Sequence, residues 1–359
     1  MNVLLFSRIL SKTGVGNYVK SLAEELVRQG HSVIVVSSSK DIDLDKEITF
    51  ISLPATSNNP LQILKTIKKL HSIIKSRGIE VVHCHHRKAA LIMQIYNKFY
   101  HIPFVYTLHS SSIPSNFLHR KLTFIGDRAI AISSDVRTLL INKFNIPHDK
   151  ITTIQNGVRI IPPLTSEQIE HQKATWGIPR DKYVLTLHSR IDATKNHLLM
   201  VEAIAKLSEE AREKVVVVCS GEKSGEYYRR VVTRISELGL NNKFIFVGWC
   251  NTAEVLGISD FLFLPSIKEG FALSIAEAFF LKIPVARTRT GGFDEQKFCL
   301  PIDAYDPQPT IDIIESLVSN GKEYYAEQAE ASYKLAMNEF TIDVMTKQNV
   351  KVYEEVCAK

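Results

Sequence analysis

The sequence is poor in cysteine and contains no long apolar stretch. Its five cysteines are scattered without a C-x-x-C pair, which excludes a disulfide scaffold and predicts a reduced, cytoplasmic protein. No apolar run approaches the roughly 18–20 residues that a membrane-spanning helix needs. The N-terminal stretch MNVLLFSRILSK has no small-residue cleavage site, so we expect a first strand there and no signal peptide.

A usable set of metal ligands is also missing. Residues 83–86 (His-Cys-His-His) are dense in ligand types, but side chains alternate along a strand, so only His83 and His85 could share a site. No second Cys/His cluster completes a tetrahedral set. The two D-x-D matches in residues 41–45 lie in a polar stretch typical of a surface loop. We therefore expect neither a metal nor an organic cofactor.

The composition is that of a folded protein with an uneven charge distribution. The 359 residues, 45% hydrophobic and 23% charged, suggest two domains. Residues 1–165 carry 21 Lys and Arg against 10 Asp and Glu, whereas residues 166–359 carry 23 against 28, giving the net charge of +6. The basic first half predicts an anionic partner there, and anionic lipid, nucleic acid and a phosphorylated substrate are all open at this point.

The recurring sequence unit is a short apolar strand, a turn and an amphipathic helix. The first copy has a strand at Asn2–Phe6, a glycine-containing loop and a helix from about residue 17 to residue 29, which Gly30 ends. In the first half, further strands are predicted at 33–37, 49–53, 81–85, 104–108, 129–132 and 152–154. After a Pro-containing break at 161–164, strands are predicted at 183–187, 215–219, 244–247, 261–264 and 284–286.

These strands are rich in Val and Ile and do not alternate with polar residues, which is typical of parallel sheets buried on both faces. The predicted fold class is therefore α/β, with two doubly wound, Rossmann-like domains. Such sheets bind ligands at the carboxyl ends of their strands, so two of them facing each other would form a central cleft.

Two candidate residues of the first half follow predicted strands. Gly16 lies in the loop of residues 11–17, which suits a phosphate, although a plain tight turn explains the loop equally well. The loop has Val19 where a dinucleotide fingerprint needs a glycine, and it lacks the GK[ST] of a P-loop. His109 follows the strand at 104–108, where either a ligand contact or a structural hydrogen bond is expected.

The second half contains a denser set of candidates. Arg190 and Lys195 follow its first strand and could clamp a diphosphate, or could be solvated surface cations. Glu269 lies in a loop after a buried strand, and Glu277 lies in the helix that begins near residue 273. Two carboxylates and a helix N-terminus suit a sugar and a phosphate. Ser274-x-x-Glu277 also matches a capping box, which would leave Glu269 unexplained.

In this order the motifs resemble those of the retaining GT-B glycosyltransferases of the large fourth family, which use nucleotide-sugars. The resemblance covers essentially the whole chain. Its motifs are the glycines at 14–16, Thr-x-His at 107–109, Ile-x-Asn-Gly-Val at 154–158, Arg with Lys-Asn at 190–196, the Glu-x7-Glu stretch at 260–278 and a glycine-containing loop at 288–295.

The resemblance implies a role for each candidate. Arg190 and Lys195 would hold the donor diphosphate, with Gly16 near the phosphates, and Glu277 would bind the ribose. His109 would lie near the sugar and the reaction centre. The donor sugar would be held by Glu269 and by the backbone of Gly270, Phe271, Ala272 and Leu273. Catalysis would be metal-independent, with cations and helix dipoles stabilising the leaving diphosphate.

The resemblance also implies the domains and the reaction. Residues 1–163 would bind the acceptor, residues 164–340 the nucleotide-sugar, and a helix at 341–359 would cross back onto the first domain. The enzyme would move a sugar, most simply from a UDP-sugar, to a glycan or lipid-linked acceptor in polysaccharide or glycolipid synthesis. The alternatives are a GT-B sugar-nucleotide epimerase and a non-enzymatic basic protein bound to membrane or nucleic acid. We expect no nucleic-acid partner, because that function leaves both glutamates unexplained.

Three residues depart from the family pattern. Ser189 stands where a glycine usually precedes the arginine, and Lys282 replaces a glycine that ends the signature helix. Ala272 replaces the second glycine of EGFG, which fits only if this residue needs no positive φ. Its methyl group would trim the sugar pocket.

A basic helix is predicted at 60–77. Its lysines at 65, 68, 69 and 75 fall within about a third of the circumference, and apolar residues at 63, 67, 70 and 74 lie opposite. A solvated face is the simpler interpretation for one helix. With the positive charge of the whole first half, the pattern also fits docking on the anionic inner leaflet of a membrane.

Overall fold

The computed structural model describes residues 1–110, 113 and 120–358. The chain divides into two compact units, Met1–Val158 with Glu339–Lys359 and Arg159–Asn338. Each unit contains a parallel sheet, and helices connect most of its successive strands. This confirms the predicted α/β class, in which buried apolar strands form the centre of each unit.

The first unit has a sheet in the order β3-β2-β1-β4-β5-β6-β7, with every described pair parallel. Its strands are β1 Asn2–Phe6, β2 Ser32–Ser37, β3 Thr49–Ser52, β4 Val81–Cys84, β5 Phe104–Leu108, β6 Arg128–Ala131 and β7 Ile151–Thr153. Its described helices before the second unit are α1 Gly14–Arg28, α2 Pro60–Ser76, α3 Arg87–Tyr96 and α4 Ser134–Phe144, with a 3-10 turn at His148–Lys150.

The second unit has a sheet in the order β10-β9-β8-β11-β12-β13. Its strands are β8 Tyr183–His188, β9 Val215–Ser220, β10 Phe244–Gly248, β11 Phe261–Leu264, β12 Val285–Thr288 and β13 Leu300–Ile302. The helices are α5 Ser166–Thr175, α6 His197–Lys206, α7 Glu209–Lys214, α8 Gly225–Glu237, α9 Thr252–Leu256, α10 Leu273–Phe280, α11 Gln308–Asn320 and α12 Ala326–Glu339, with a 3-10 turn at Lys322–Tyr325. The last helix, α13 Ile342–Cys357, belongs to the first unit.

The strand predictions agree with the structure to within one or two residues at each end, but β13 was missed. It is only three residues long, contains Pro301 and, among the described strands, pairs with β12 alone. The edge strand was not predicted because a proline in a short apolar run indicates a loop. Helix α1 begins three residues earlier than predicted, since the Thr13 hydroxyl accepts a hydrogen bond from Gly16 N at 3.3 Å. Gly30 ends it with φ +85°, as predicted.

Helix α13 packs into the first unit through a close backbone contact. A Cβ atom on Gly157 would lie 2.6 Å from the Thr341 carbonyl oxygen, so only glycine allows the approach. Val158 N donates to Phe340 O at 2.9 Å, and Ile342 N donates to Val158 O at 3.1 Å. The helix then contributes buried residues to the same apolar cluster as β1 and α1. The Asn-Gly-Val motif therefore has a structural role, because its glycine allows the backbone at the start of α13 to pack against it.

Helix α2 has the predicted two faces. Its four lysines are exposed, while Ile67, Leu70 and Ile74 are buried. The side turned to solvent also carries two apolar residues, Leu61 at 68% and Leu64 at 46% exposure. Among the described residues, no helix combines the length and apolar character that crossing a membrane requires.

Lys282 provides a test of backbone strain at the end of α10. It has φ +55°, a conformation that costs a residue with a Cβ atom about 1 kcal/mol. Its ammonium lies 2.6 Å from Glu330 and over the Tyr333 ring. Lys282→Gly and Lys282→Ala both lose these contacts, so the difference between their free energies of unfolding measures the backbone strain alone. We expect the Gly variant to be more stable than the Ala variant by about 1 kcal/mol in urea unfolding. Equal stabilities would contradict this assignment of strain.

Candidate active site

The loop after β8 is held in shape by Asp192. Its carboxylate accepts hydrogen bonds from the backbone N–H groups of Thr194 and Lys195 at 3.0 and 3.1 Å. The other carboxylate oxygen lies 3.0 Å from Arg190 Nη1, and the Arg190 side chain is 66% exposed. The loop therefore presents Arg190 to solvent at the carboxyl end of the sheet, where a parallel α/β sheet binds its ligands.

Lys195 and Glu269 form an ion pair, although they are 74 residues apart. Their side chains are only 17% and 11% exposed. The Ser266 hydroxyl donates to the same Glu269 oxygen at 2.8 Å. Ile267 N also donates to the Thr194 carbonyl at 2.8 Å, so the loops after β8 and β11 are joined through both backbone and side chains. The structure thus brings two of the predicted site residues into direct contact.

Two glycines of the loop after β12 pack closely against the backbone of the Glu269 loop. A Cβ atom on Gly291 would lie 2.5 Å from the Glu269 carbonyl oxygen. On Gly292, which has φ +76°, it would lie 2.6 Å from the Gly270 carbonyl oxygen. Larger residues would displace the Glu269 backbone, so the glycine pair positions the predicted sugar-binding segment.

Arg287 is a supporting residue that the sequence analysis missed. It is fully buried and donates hydrogen bonds to the carbonyl oxygens of Thr288, Thr290 and Gly291 and to the side-chain oxygen of Gln296. Gln296 in turn donates to the Ala272 carbonyl at 2.8 Å. The sequence does contain a signal for Arg287, because a charged residue inside an apolar strand is rare unless a specific polar network surrounds it.

The segment Gly270–Leu273 leads directly into α10. Ala272 has φ −79°, so alanine replaces the family's glycine without strain. It is also the N-cap residue, and no side chain within the described part of the protein caps this terminus. The capping-box interpretation of Ser274 and Glu277 is therefore wrong, because the helix begins before Ser274. The N-terminus of α10 keeps free backbone donors and the positive end of its dipole.

Glu277 projects from α10 without a hydrogen-bond or ionic partner among the described residues. Burial raises the pKa of its carboxyl group to about 7. A partly buried carboxylate without a partner costs stability, and such groups occur mainly where a ligand supplies the missing donors. Glu277 thus remains available to a bound molecule.

In the first unit, Gly16 is required by the turn itself. A Cβ atom there would lie 1.8 Å from the Ser11 carbonyl oxygen, and its N–H is used by the Thr13 hydroxyl. Gly14 has open space around it. These contacts favour the tight-turn interpretation of the loop, and the proposed phosphate contact of Gly16 stays a prediction.

His109 belongs to a cluster of aromatic side chains at the ends of β4 and β5. Its Nε2 atom lies 3.2 Å from Nδ1 of His85. The Tyr18 ring stands edge-on at 4.7 Å from the His109 ring, and the His83 ring lies 4.1 Å from that of His85. His83 is anchored by Tyr353 of α13 and by Thr107, each at 2.6 Å. His83 and His85 therefore lie on one face of the strand, as alternation of side chains along a strand requires.

Comparison with known proteins connects these features to one family. Residues 12–160 match the family described as Glycosyltransferase Family 4, and residues 168–334 match Glycosyl transferases group 1. The chain belongs to glycosyltransferase family 4. The predicted GT-B fold is confirmed as well: a glycosyltransferase from Rickettsia africae superposes with a TM-score of 0.89 at 25% identity, covering 99% of this chain and 98% of that one.

Three further proteins are similar to this family 4 glycosyltransferase. The D-inositol 3-phosphate glycosyltransferase of Corynebacterium jeikeium is 23% identical over 85% of this chain and 83% of its own. An Escherichia coli UDP-Gal:alpha-D-GlcNAc-diphosphoundecaprenol alpha-1,3-galactosyltransferase is 24% identical over 66% and 65%. The structure of Anabaena HepE with UDP has a TM-score of 0.85 at 18% identity, covering 99% of this chain and 100% of that one.

Acidic and histidine side chains of this glycosyltransferase do not assemble into a metal centre within the described residues. In the D-x-D segment, Asp41, Asp43 and Asp45 are exposed. Asp41 accepts a hydrogen bond from Lys12 N, and Asp45 accepts one from Glu47 N. The segment is the surface loop that the sequence predicted.

The pKa of Glu277 predicts a pH-dependent cost to stability. Because the folded-state pKa of about 7 exceeds the ordinary value of 4.5, the carboxyl group favours folding when protonated, and this contribution is lost as the pH rises from 4.5 to 7. We expect Glu277→Gln to exceed the wild type in unfolding free energy by about 3 kcal/mol at pH 8 and to match it below pH 4.5.

Ser274→Ala is the matched control for this experiment, since a capping box would make it destabilising at every pH. We expect it to leave the melting temperature unchanged. A Glu277→Gln variant that is less stable than the wild type at pH 8 would show that the carboxylate has a structural partner.

Proposed function

We propose that this glycosyltransferase moves a sugar, with retention of configuration, from a UDP-sugar to a glycan or lipid-linked acceptor in cell-surface polysaccharide or glycolipid synthesis. The observation that carries the proposal is the Lys195–Glu269 ion pair in the loops that precede the uncapped N-terminus of α10, together with Glu277 of that helix, which has no hydrogen-bond or ionic partner among the described residues. HepE has been solved with UDP and with UDP-glucose, and the Escherichia coli relative is named for a UDP-Gal donor and a diphosphoundecaprenol-linked acceptor. A non-enzymatic basic protein leaves these residues without a role, whereas a sugar-nucleotide epimerase would use the same donor contacts and is distinguished by its product.

Each of these polar groups matches one part of such a donor. Arg190 is exposed and Lys195 is held by Glu269 in the loop that follows the same strand, so both can bind diphosphate oxygens. Ribose hydroxyls can supply the donors that Glu277 lacks, which would favour its ionised form. Glu269, fixed by Lys195 and Ser266, is a rigid acceptor for hydroxyls of the donor sugar.

The reaction then develops negative charge on the leaving diphosphate. Arg190, Lys195 and the positive end of α10 would stabilise that charge, so we propose that no metal is needed. His109 in the first unit would contact the donor sugar near the bond that breaks. The four lysines of α2, together with Leu61 and Leu64, would hold the first unit at an anionic leaflet that presents a lipid-linked acceptor.

Substitution of the two cations tests the donor site. Arg190→Ala and Lys195→Ala are each expected to weaken UDP binding at least tenfold in calorimetry, because each loses a charge-assisted contact worth about 2–3 kcal/mol. Arg190 is exposed, so its variant should keep the wild-type melting temperature. Lys195→Ala should also melt earlier, since it leaves Glu269 mostly buried without its cation. Unchanged UDP affinity in both variants would remove the diphosphate assignment.

Product analysis tests the reaction itself. UDP, GDP, ADP and their sugars are screened by thermal shift, since a ligand that binds only the native state raises the melting temperature. The stabilising donor is then incubated with candidate acceptors, with and without EDTA. We expect an α-linked product from an α-linked UDP-sugar at equal rates in both reactions. An inverted product, release of an epimerised donor without acceptor, or rescue of EDTA-treated enzyme by Mg²⁺ would each contradict part of the proposal.

Vesicle binding tests the role of α2. The wild type should co-sediment with vesicles that contain anionic lipid and not with neutral vesicles. The reason is that the lysines are attracted by anionic headgroups, and each lysine near such a surface contributes about 1 kcal/mol. A Lys65/Lys68/Lys69/Lys75→Glu variant should stay in the supernatant, and 1 M salt should release the wild type. Leu61→Ser with Leu64→Ser separates apolar insertion from charge. Equal binding to both vesicle types would leave an ordinary basic surface.

A further inference from the structure

The imidazole of His109 is held by one hydrogen bond to another histidine. His85 Nδ1 and His109 Nε2 are 3.2 Å apart. Among the described residues, the other nitrogen of His109, Nδ1, has no hydrogen-bond partner, and the residue is only partly buried. His85, by contrast, is 2% exposed. Nδ1 is therefore the atom that His109 can offer to a ligand.

Both rings are neutral under ordinary conditions. Burial lowers the pKa of His85 and of His109 well below 6.5, and the histidines around them lower it further. A neutral imidazole has one N–H donor and one nitrogen lone pair. The hydrogen bond between the rings therefore requires one ring to donate and the other to accept, and its direction decides which proton His109 carries.

The surroundings of His85 decide that direction. Its Nε2 atom is buried and has no hydrogen-bond partner within the described residues. If His109 donated, His85 would carry its proton on Nε2, and that N–H would be buried without an acceptor. If His85 donates from Nδ1, the buried Nε2 holds only a lone pair. A buried N–H without an acceptor is the rarer of the two kinds of unsatisfied group in proteins.

The neighbouring rings prevent the pair from turning to another arrangement. The Tyr18 ring lies 4.7 Å from His109 and 5.5 Å from His85, and Asn349 of α13 donates to the Tyr18 hydroxyl at 3.3 Å. His83 packs on the other side of His85, with both its nitrogens at hydrogen-bond distance from hydroxyl groups. Close packing of this kind keeps the two imidazoles in hydrogen-bonding orientation.

We infer that His85 is a positioning residue, which donates from Nδ1 to Nε2 of His109 and thereby keeps the His109 proton on the ligand-facing Nδ1. His109 is then a fixed N–H donor, suited to an oxygen of the donor sugar or of the leaving phosphate. This use rests on the proposed function, whereas the tautomer is a property of the protein without substrate. A second ring that fixes the tautomer of a histidine has the role that a carboxylate or carbonyl usually fills.

Nitrogen NMR on the full chain labelled with [15N]histidine tests the tautomer directly. His109→Gln identifies the His109 signals by their loss. In the wild type we expect a protonated, pyrrole-type Nδ1 and a pyridine-type Nε2. In His85→Leu the proton should move to Nε2, which free imidazole side chains prefer, whereas His85→Asn keeps an amide donor in the place of Nδ1 and should preserve the wild-type pattern. A wild-type proton on Nε2, or an unchanged pattern in His85→Leu, overturns the inference. The wild-type spectrum decides the direction of the bond even if His85→Leu does not fold.

Kinetics test what the tautomer does. We expect His85→Leu to lower kcat at least tenfold without changing the affinity for UDP, and His85→Asn to restore most of the turnover. His86→Asn is the matched control, because His86 bonds to Ser7 and Arg8 N instead of His109. Normal turnover in His85→Leu would overturn the positioning role and leave the proposed function intact. Absence of transfer by the wild type with any donor would refute the proposed function, while the spectra would still decide the hydrogen bond.

Discussion

The ion pair between Lys195 and Glu269 is the interaction on which the candidate site of the second unit depends. Both side chains are mostly buried, so removing either one would leave a charge without compensation in a medium that solvates it poorly. Because β8 and β11 are neighbours in the sheet, the pair draws together the loops that follow both strands. The predicted diphosphate-binding and sugar-binding segments thereby become one surface, and the start of α10 lies next to it in the chain.

A second set of contacts keeps that surface in place. Gly291 and Gly292 lie so close to the carbonyl groups of the Glu269 loop that no side chain would fit. Arg287 holds the glycine loop through its carbonyl groups and reaches the N-cap of α10 through Gln296. The Glu269 loop is therefore supported from the interior of the sheet. Rigid support of this kind is what electrostatic stabilisation of a leaving group requires.

The two units place different chemistry at the ends of their strands. The second unit offers cations, a carboxylate and a helix N-terminus. The first unit offers neutral histidines, whose burial lowers the pKa of His83 to about 3 and those of His85 and His109 well below 6.5. A neutral imidazole can donate to an oxygen without adding a charge that depends on pH. The direction of a single hydrogen bond then determines what His109 can do.

The sequence alone determined the α/β class and the strands, because runs of Val and Ile predict buried parallel strands. It also determined the loops that carry candidate residues, because ligands bind at the carboxyl ends of such strands. It identified His109, Lys195, Glu269 and Glu277 by their place in that pattern. Only the tertiary structure decided how they pair. The Lys195–Glu269 contact, the network of Arg287 and the His85–His109 hydrogen bond join residues that are distant in the chain or depend on burial. A local sequence pattern contains neither the contacts between distant residues nor the burial of a side chain. The capping box predicted at Ser274 was wrong because it too was read from a local pattern.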